Sequence, residues 1–166
     1  MVEFAVNPHR LDPYKNFKFQ VVLDGKVVPG VTRVSTLRRH TETIFHRDGT
    51  FPSHLMTAPG ATSFDPIILE RGITHDTTFE DWAALAYSPA GDAAMSLRNF
   101  RKDMRINLLN QQGSVVLSYM VYRCWVAEYQ ALRELDANAN AVAIETLVLQ
   151  HEGFERDRDI PEPTET

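Results

Sequence analysis

The chain contains 166 residues, of which 43% are hydrophobic and 23% are charged, and its formal net charge is −5. These proportions exclude disordered, collagen-like and membrane-embedded proteins, and the length suits one domain with a single core. No basic stripe is present, so the sequence predicts no contact with nucleic acid.

The first third of the chain indicates an arm followed by β-structure. Two prolines and no periodicity predict an N-terminal arm over residues 1–16. Residues 17–23 alternate apolar and polar types, and the Asp-Gly pair at 24–25 supplies the positive-φ positions of a tight hairpin turn. β-branched residues over 31–37 and 41–45 predict one long or bent strand.

The middle of the chain combines an irregular stretch with a helix signal. Residues 46–63 carry three turn signals around a short apolar patch, which predicts a protruding hairpin or a long loop. Strand character returns over 64–71, and Gly72 is expected to have a positive φ. A helix is predicted from Thr77 to about residue 87, because Thr77 and a glutamate three residues later form a capping-box pattern.

The last part of the chain predicts a second hairpin and a closing strand. Alternation over 104–108 leads to a turn at 111–113 and a partner strand over 115–125. After a mixed connector, residues 141–152 form the last predicted strand.

The expected fold class is therefore mainly β, a β-rich α+β domain that is sandwich-like or barrel-like with one flanking helix. We expect three parts: the arm 1–16, a single β domain 17–155, and a flexible C-terminal tail 156–166.

A search for catalytic, cofactor-binding or metal-binding motifs finds nothing specific. His40 and His46 share one strand face but are too far apart for a close metal pair. His151 and Glu152 are strand neighbours and point to opposite faces. Cys124 has no recognisable base partner, and a single cysteine suits a reducing cytoplasm. We predict no enzyme activity, no cofactor and no metal site.

Three segments stand out from the rest of the sequence. They are Asp12-Pro-Tyr-Lys-Asn-Phe-Lys-Phe19, Leu69-Glu-Arg-Gly-Ile-Thr74 before the helix, and Asp136-Ala-Asn-Ala-Asn-Ala-Val-Ala-Ile-Glu-Thr-Leu147 with His151-Glu-Gly153. In this order and spacing they resemble the tail tube family of contractile-tailed bacteriophages and related extracellular contractile injection systems. That family in turn resembles the tube protein of type VI secretion. The family-motif positions are Asp12, Pro13, Tyr14, Phe17, Arg71, Gly72, Ile73, Thr74, Trp82, Asn140, Ala143, Ile144, Glu145, His151, Glu152 and Gly153.

The resemblance implies an assembly function. It implies a subunit whose strands join those of its neighbours in a hexameric ring, with rings stacked into an inner tube that is driven through a target envelope when a sheath contracts. The implied partners are other copies of the chain, the sheath protein, baseplate, spike and cap proteins, and protein cargo in the lumen. Six copies, each with a charge of −5, would carry about −30 and would repel like-charged cargo from a charge-lined lumen.

The stretch 46–60 departs from the family, whose members often carry a short basic, Gly-rich link there. Exposed apolar side chains in this stretch would be unexplained in an isolated subunit, so we expect the stretch to dock on the neighbouring ring. The candidate ring-to-ring contacts are His46, Arg47, Asp48, Phe51, His54, Leu55 and Met56.

Two other functions remain open at this stage. A tube-fold adaptor or baseplate-proximal tube initiator of the same machine would share the fold and the motifs, whereas a small β-domain hydrolase or binding module would need a convergent polar cluster. The sequence has no apolar run of about 20 residues and no signal peptide, so we expect synthesis and assembly in the cytoplasm, with release in a particle as a further possibility.

Overall fold

The computed structural model describes residues 4–50 and 53–166. Its strands are β1 (Phe19–Leu23), β2 (Lys26–Val28), β3 (Val31–Val34), β4 (Arg39–Arg47), β5 (Leu55–Phe64), β6 (Ile67–Gly72), β7 (Lys102–Leu109), β8 (Val115–Gln130), β9 (Ile144–Gln150) and β10 (Phe154–Arg156). The α-helix α1 (Thr78–Ala86) lies between β6 and β7 and is followed by a 3₁₀ turn, Asp92–Ala94. The mainly β fold with a flanking helix is confirmed.

The main sheet curls into an open barrel. Its strands follow the order β2-β1-β7-β8-β9-β6-β3, and β10 pairs with β8 beside this path. The two outermost strands, β2 and β3, are separated along the chain only by Pro29 and Gly30. Because each residue spans at most about 3.5 Å, Val28 at the end of β2 and Val31 at the start of β3 lie within roughly 11 Å of each other, so the two edges of the sheet meet at this corner. A barrel-like arrangement follows from the topology alone.

The barrel interior and the inner face of α1 form the hydrophobic core. The helix contributes Phe79 and Trp82, which are both almost completely buried. The indole N–H of Trp82 donates a hydrogen bond of 2.9 Å to the carbonyl of Phe100, so its polar atom is satisfied. Strand residues complete the core: Val21, Leu23, Ile67, Leu69, Met104, Val121, Leu147 and Leu149.

The hairpin turn predicted at 24–25 is confirmed. Asp24 and Gly25 have φ values of 51° and 76°, as a turn that matches the twist of its two strands requires. By contrast, residues 31–45 do not form one strand, since β3 pairs with β6 and β4 pairs with β5 in a separate sheet. The β-branched composition indicates strands correctly but carries no information about their partners.

Of the two alternatives for residues 46–63, the structure has the hairpin. β4 and β5 form an antiparallel pair that is nine and ten residues long. Pro59 and Gly60, two of the predicted turn residues, lie within β5. Among the described strands β5 pairs only with β4, so its outer edge is open and a proline is tolerated there.

Two expectations around the helix are wrong. Gly72 does not have a positive φ; it ends β6 and pairs with Ile144 of β9. The capping box does not form, because the side chain of Thr77 hydrogen-bonds Asp81 instead of the helix amides. The carboxylate of Asp76 accepts the amide N–H of Thr78 at 3.0 Å, so the preceding aspartate satisfies the first helical donor.

The long strand β8 joins the two halves of the barrel. Its first part pairs with β7, and from Trp125 onward it pairs with β9. At the change of partner, Arg123 has a φ of 53°, and its amide N–H donates to the carboxylate of Asp103 at 2.9 Å. The strand therefore extends five residues beyond its predicted end at Trp125.

The final strand is shorter than predicted, since β9 covers only residues 144–150. Its core face carries Glu145, Leu147 and Leu149, which are buried. Val142, predicted to lie on one strand face with Ile144, is instead outside the strand and 77% exposed.

Candidate assembly surface

The β4–β5 hairpin is the most exposed regular element of the subunit. Within the part of the chain that the structure describes, its two strands pair only with each other. All nine residues of β4 are exposed. A two-stranded hairpin has little stability in water without a covered face, and its open edges can pair with another chain. The hairpin therefore has the properties of an assembly element that is completed by another molecule.

Six of the seven predicted ring-contact residues gather at the far end of this hairpin. His46 and Arg47 end β4, and Leu55 and Met56 begin β5 as their cross-strand partners. Asp48 organises the turn, because its carboxylate accepts the amide N–H of Thr50 at 2.9 Å. His54 is exposed next to β5, whereas Phe51 lies outside the described residues.

The sequence analysis missed two apolar residues of this surface. Ile44 and Phe45 are 53% and 61% exposed. As strand neighbours they point to opposite faces, and Leu55 shares the face of Phe45. The signal that could have found them is the pair of charged residues Arg39 and Glu42, which lie on opposite faces of β4 and indicate a strand exposed on both sides.

The base of the hairpin is anchored to the barrel. Phe64 packs against the rings of His151 and Phe154, with centroid distances of 5.4 and 6.1 Å. The Asp65 amide donates to the carbonyl of Arg38 at 3.1 Å, and the Asp65 carbonyl lies 2.9 Å from Nε2 of His151. The motif residue His151 thus holds the hairpin base.

Gly153 completes this anchor. Its amide N–H donates to Nδ1 of His151 at 3.3 Å, and its φ of 146° is a conformation that residues with a Cβ rarely adopt. The neighbouring Glu152 is exposed and pairs with Arg123 at 3.0 Å. His151 and Glu152 therefore do not converge on one site.

Two of the motif segments meet in a buried ion pair. Arg71 of β6 and Glu145 of β9 are cross-strand partners, and the guanidinium donates to the carboxylate. Their side chains are only 1% and 8% exposed. The same guanidinium donates to the Asp76 carbonyl at 2.7 Å and lies 4.3 Å from the ring centre of Phe79. One arginine thus joins β6, β9 and the start of α1.

Neighbouring groups complete the Arg71 network. Tyr129 of β8 donates its hydroxyl to Glu145 at 3.2 Å, and burial, followed by the Glu145 charge, raises the pKa of Tyr129 to about 12. The hydroxyl and amide of Thr78 donate to Asp76 and, together with Arg71, lower the pKa of its carboxyl group. Each side chain of this network therefore has a hydrogen-bonding partner within it.

The remaining motif positions have smaller structural tasks or lie exposed. The amide of Ile73 donates to the carbonyl of Ala143 at 3.0 Å, which extends the β6–β9 pairing past Gly72. The hydroxyl of Thr74 accepts the amide N–H of Asp76 at 3.2 Å. Exposed positions are Asp12, Pro13, Phe17 and Asn140.

The N-terminal arm and the C-terminal tail are hydrogen-bonded to each other. The carboxylate of Glu162 accepts the amide N–H groups of Val6 and Asn7 and the side-chain N–H of Asn7, at 2.8 to 3.1 Å. Asn7 is only 1% exposed, and Arg10 pairs with Glu165 while lying 4.5 Å from the ring centre of Tyr14. Sequence reasoning had no signal for these contacts, since they span 155 or more residues. The mobility expected for residues 156–166 stays a prediction.

The groups considered for chemistry have structural surroundings. Cys124 is buried, and burial, with a contribution from Asp103, raises the pKa of its thiol to about 12. Residues 4–50 and 53–166 contain no group of three or more acidic, histidine or cysteine side chains that could hold a metal ion. Over the same residues, no helix is long and apolar enough to cross a bilayer.

Comparison with solved structures identifies the fold. A chain in the cryo-EM structure of the PVC sheath-tube complex of an extracellular contractile injection system is 23% identical, with a TM-score of 0.71 over 87% of this chain and 91% of that chain. A chain in the anti-feeding prophage cap is 24% identical, with a TM-score of 0.73 over 89% and 93%. Hcp1 from Flavobacterium johnsoniae is 17% identical, with a TM-score of 0.55 over 87% and 98%. Comparison with curated protein sequences found no match.

These likenesses show that the chain shares its fold with chains of a sheath-tube complex and a tube terminating cap and with Hcp1. The sequence itself is more specific. The family profile described as T4-like virus tail tube protein gp19 matches residues 15–155. The chain belongs to this tail tube family, as the three sequence segments predicted, and the family is one of structural tube proteins.

The Arg71 network generates a stability prediction. Arg71→Met removes the partner of the buried Glu145 carboxylate, so we expect the free energy of unfolding to fall by about 3–5 kcal/mol. Urea unfolding of the purified subunit measures this change. Arg33→Met, which removes an exposed partner of Glu70, is the control and should cost less than about 1 kcal/mol. Equal losses for the two variants would contradict the structural role of Arg71.

The contact between arm and tail generates a pH prediction. The amides of Val6 and Asn7 and the Asn7 side chain hold the pKa of Glu162 below its ordinary value of 4.5. The stabilisation is therefore present above pH 4.5 and is lost as the pH falls through the lowered pKa. We expect amide-exchange protection at Val6 and Asn7, corrected for intrinsic rates, to fall on acidification while that of β8 stays unchanged.

A substitution tests the same contact at neutral pH. Glu162→Gln should lower the protection of these two amides at least tenfold at pH 7, because a neutral acceptor binds them more weakly. Glu134→Gln, at an exposed connector position, is the matched control. Unchanged protection in Glu162→Gln would refute the contact.

Proposed function

We propose that this chain is the subunit of a self-assembled tube in a contractile injection system or a phage-like tail, and that six copies close into a ring. Family membership supports the tube function. The observation that supports assembly is the β4–β5 hairpin, whose two strands pair with each other and with no other described strand. An isolated subunit gains nothing from exposing a nine-residue strand with Ile44 and Phe45 on its two faces.

In this proposal the hairpin docks on the next ring of the tube. Its tip provides charged and imidazole groups at His46, Arg47, Asp48 and His54 around the apolar side chains of Leu55 and Met56. An apolar centre with a polar rim is the usual composition of a protein–protein interface. Phe51 belongs to the same proposed contact set.

The further partners in this proposal are a sheath, a baseplate with its spike, a cap and protein cargo in the lumen. Related chains occur in a sheath-tube complex, a tube terminating cap and a baseplate, and this range supports the assignment. The net charge of −5 per subunit favours cargo that does not adhere to the tube wall. Assembly would take place in the cytoplasm before any release of the particle.

The proposal assigns no catalytic activity to the chain. Cys124 is held as a thiol by burial, since a pKa of about 12 leaves roughly one thiolate in ten thousand at pH 8. Both ring nitrogens of His151 are within hydrogen-bonding distance of backbone groups. The side chains of Arg71 and Glu145 form a buried ion pair with each other.

The hairpin surface gives a direct test. Phe45→Ser combined with Leu55→Ser removes two exposed apolar side chains from one face, so rings should form while long tubes are lost. Thr41→Ala combined with Thr62→Ala changes the same face nearer the barrel and should leave the tubes intact. Negative-stain microscopy of the chain produced together with its sheath and baseplate partners measures tube length.

The outcomes of this experiment separate the competing functions. Tubes of normal length in the Phe45 and Leu55 variant would contradict docking through the hairpin. Wild-type chain that forms single rings under all conditions would support the adaptor or tube-initiator function. A persistent monomer whose melting temperature rises with a small ligand would instead support a binding module.

A further inference from the structure

The β4–β5 hairpin contains a bulge that divides it into two parts. Thr41 pairs with Thr62, and the next regular pair is Thr43 with Pro59. Between these pairs a single residue of β4, Glu42, faces two residues of β5, Gly60 and Ala61. An extra residue of this kind bends the strand and increases its local twist.

The two parts of the hairpin differ in their chemistry. The base part, between the barrel and the bulge, carries polar pairs, including a hydrogen bond of 3.0 Å between the hydroxyls of Thr41 and Thr62. The tip part, beyond the bulge, carries the exposed apolar side chains Ile44, Phe45 and Leu55. The bulge therefore lies where the polar pairs end and the proposed contact surface begins.

The base part is fixed in direction, so the bulge sets the direction of the tip part. Phe64 and Asp65 fasten the base part to the barrel through His151 and Phe154, and the Asp65 amide donates to the Arg38 carbonyl beside the first pair of the hairpin. Five residue pairs follow the bulge, which corresponds to an arm of about 17 Å. A change of direction of about 20°, comparable to the twist between neighbouring strands, would displace the end of this arm by about 6 Å. Such a displacement exceeds the tolerance of a packed interface.

Gly60 permits the close packing at the bulge. A Cβ atom on Gly60 would lie 3.1 Å from the side chain of Ile44 and 3.3 Å from the carbonyl oxygen of Glu42. These distances are shorter than ordinary contacts, so a side chain at position 60 would require the Ile44 side chain and the Glu42 carbonyl to shift by a few tenths of an ångström. Gly60 and the extra residue Ala61 together define the bend of the hairpin.

We infer that this bulge sets the rotation between a ring of the tube and the next ring, by directing the tip part of the hairpin onto a second copy of the chain. The inference rests on the proposed docking of the hairpin. It assigns a task to Glu42, Gly60 and Ala61 that is separate from the contact chemistry of Phe45 and Leu55.

Deletion of Ala61 tests the inference cleanly. With this residue removed, Glu42 would face Gly60 alone, and every other cross-strand pair and every side-chain face would be kept. The deletion variant should fold, with a melting temperature within about 4 °C of wild type. Produced with its sheath and baseplate partners, it should form rings but at least tenfold fewer long tubes, or tubes with a changed rotation between rings in cryo-EM reconstructions. Ala61→Ser keeps the bulge and is the matched control.

A second variant makes the test independent of the folding of the deletion. Gly60→Val keeps the chain length but places a side chain against Ile44 and the Glu42 carbonyl at the bulge. This variant should therefore also change the rotation between rings or reduce the number of tubes. If either bulge variant folds and still forms tubes of wild-type length with the wild-type rotation between rings, the inference is wrong. If the Phe45 and Leu55 variant loses its tubes while the bulge variants keep theirs, docking stands and only the role of the bulge fails. If the Phe45 and Leu55 variant keeps its tubes, the docking proposal itself fails.

Discussion

The buried pairing of Arg71 with Glu145 is the interaction on which the rest of the subunit depends. It joins two neighbouring strands of the barrel, and the same guanidinium hydrogen-bonds Asp76 and covers the ring of Phe79 at the start of α1. A charge placed in a protein interior is tolerated only when its hydrogen bonds are satisfied, so the strands and the helix must take one relative arrangement. Tyr129 adds β8, the longest strand, to the same network.

This network explains why two of the family segments lie far apart in the sequence yet act together. Arg71 and Glu145 are 74 residues apart along the chain and directly opposite each other in the sheet. The end of the last segment, at His151 and Gly153, lies where the hairpin leaves the barrel. In this chain the last two segments therefore join neighbouring strands of the barrel and hold the base of its projecting hairpin.

Local sequence signals predicted the local structure well, and long-range pairing limited the rest. The Asp24-Gly25 turn and the limits of α1 depend on a few adjacent residues, and both were predictable. The helix cap was not, because Asp76 and Thr77 could both accept the first helical amide, and in the structure Asp76 accepts it while the Thr77 hydroxyl donates to Asp81. Gly72 looked like a turn residue because its pairing with Ile144 is not visible locally.

The candidate assembly surface was predicted only in part, again because strand pairing is not visible in the local sequence. Its apolar patch at Leu55 and Met56 could be read directly, but the strands that carry it could not, since Pro59 and Gly60 are turn signals in most contexts. The contribution of Ile44 and Phe45 depends on the exposure of both faces of β4, which the local sequence does not specify.

The isolation of the β4–β5 hairpin has a consequence for how the sequence can change over time. Apart from Phe64 at its base, none of the described side chains of the hairpin belongs to the hydrophobic core that keeps the subunit folded. Substitutions there are not limited by core packing and, in the proposed docking, are limited only by what the neighbouring copy accepts. The hairpin and the surface that it would contact are therefore free to diverge as a matched pair, and two lineages with interchangeable barrels can become mutually incompatible through this single projection.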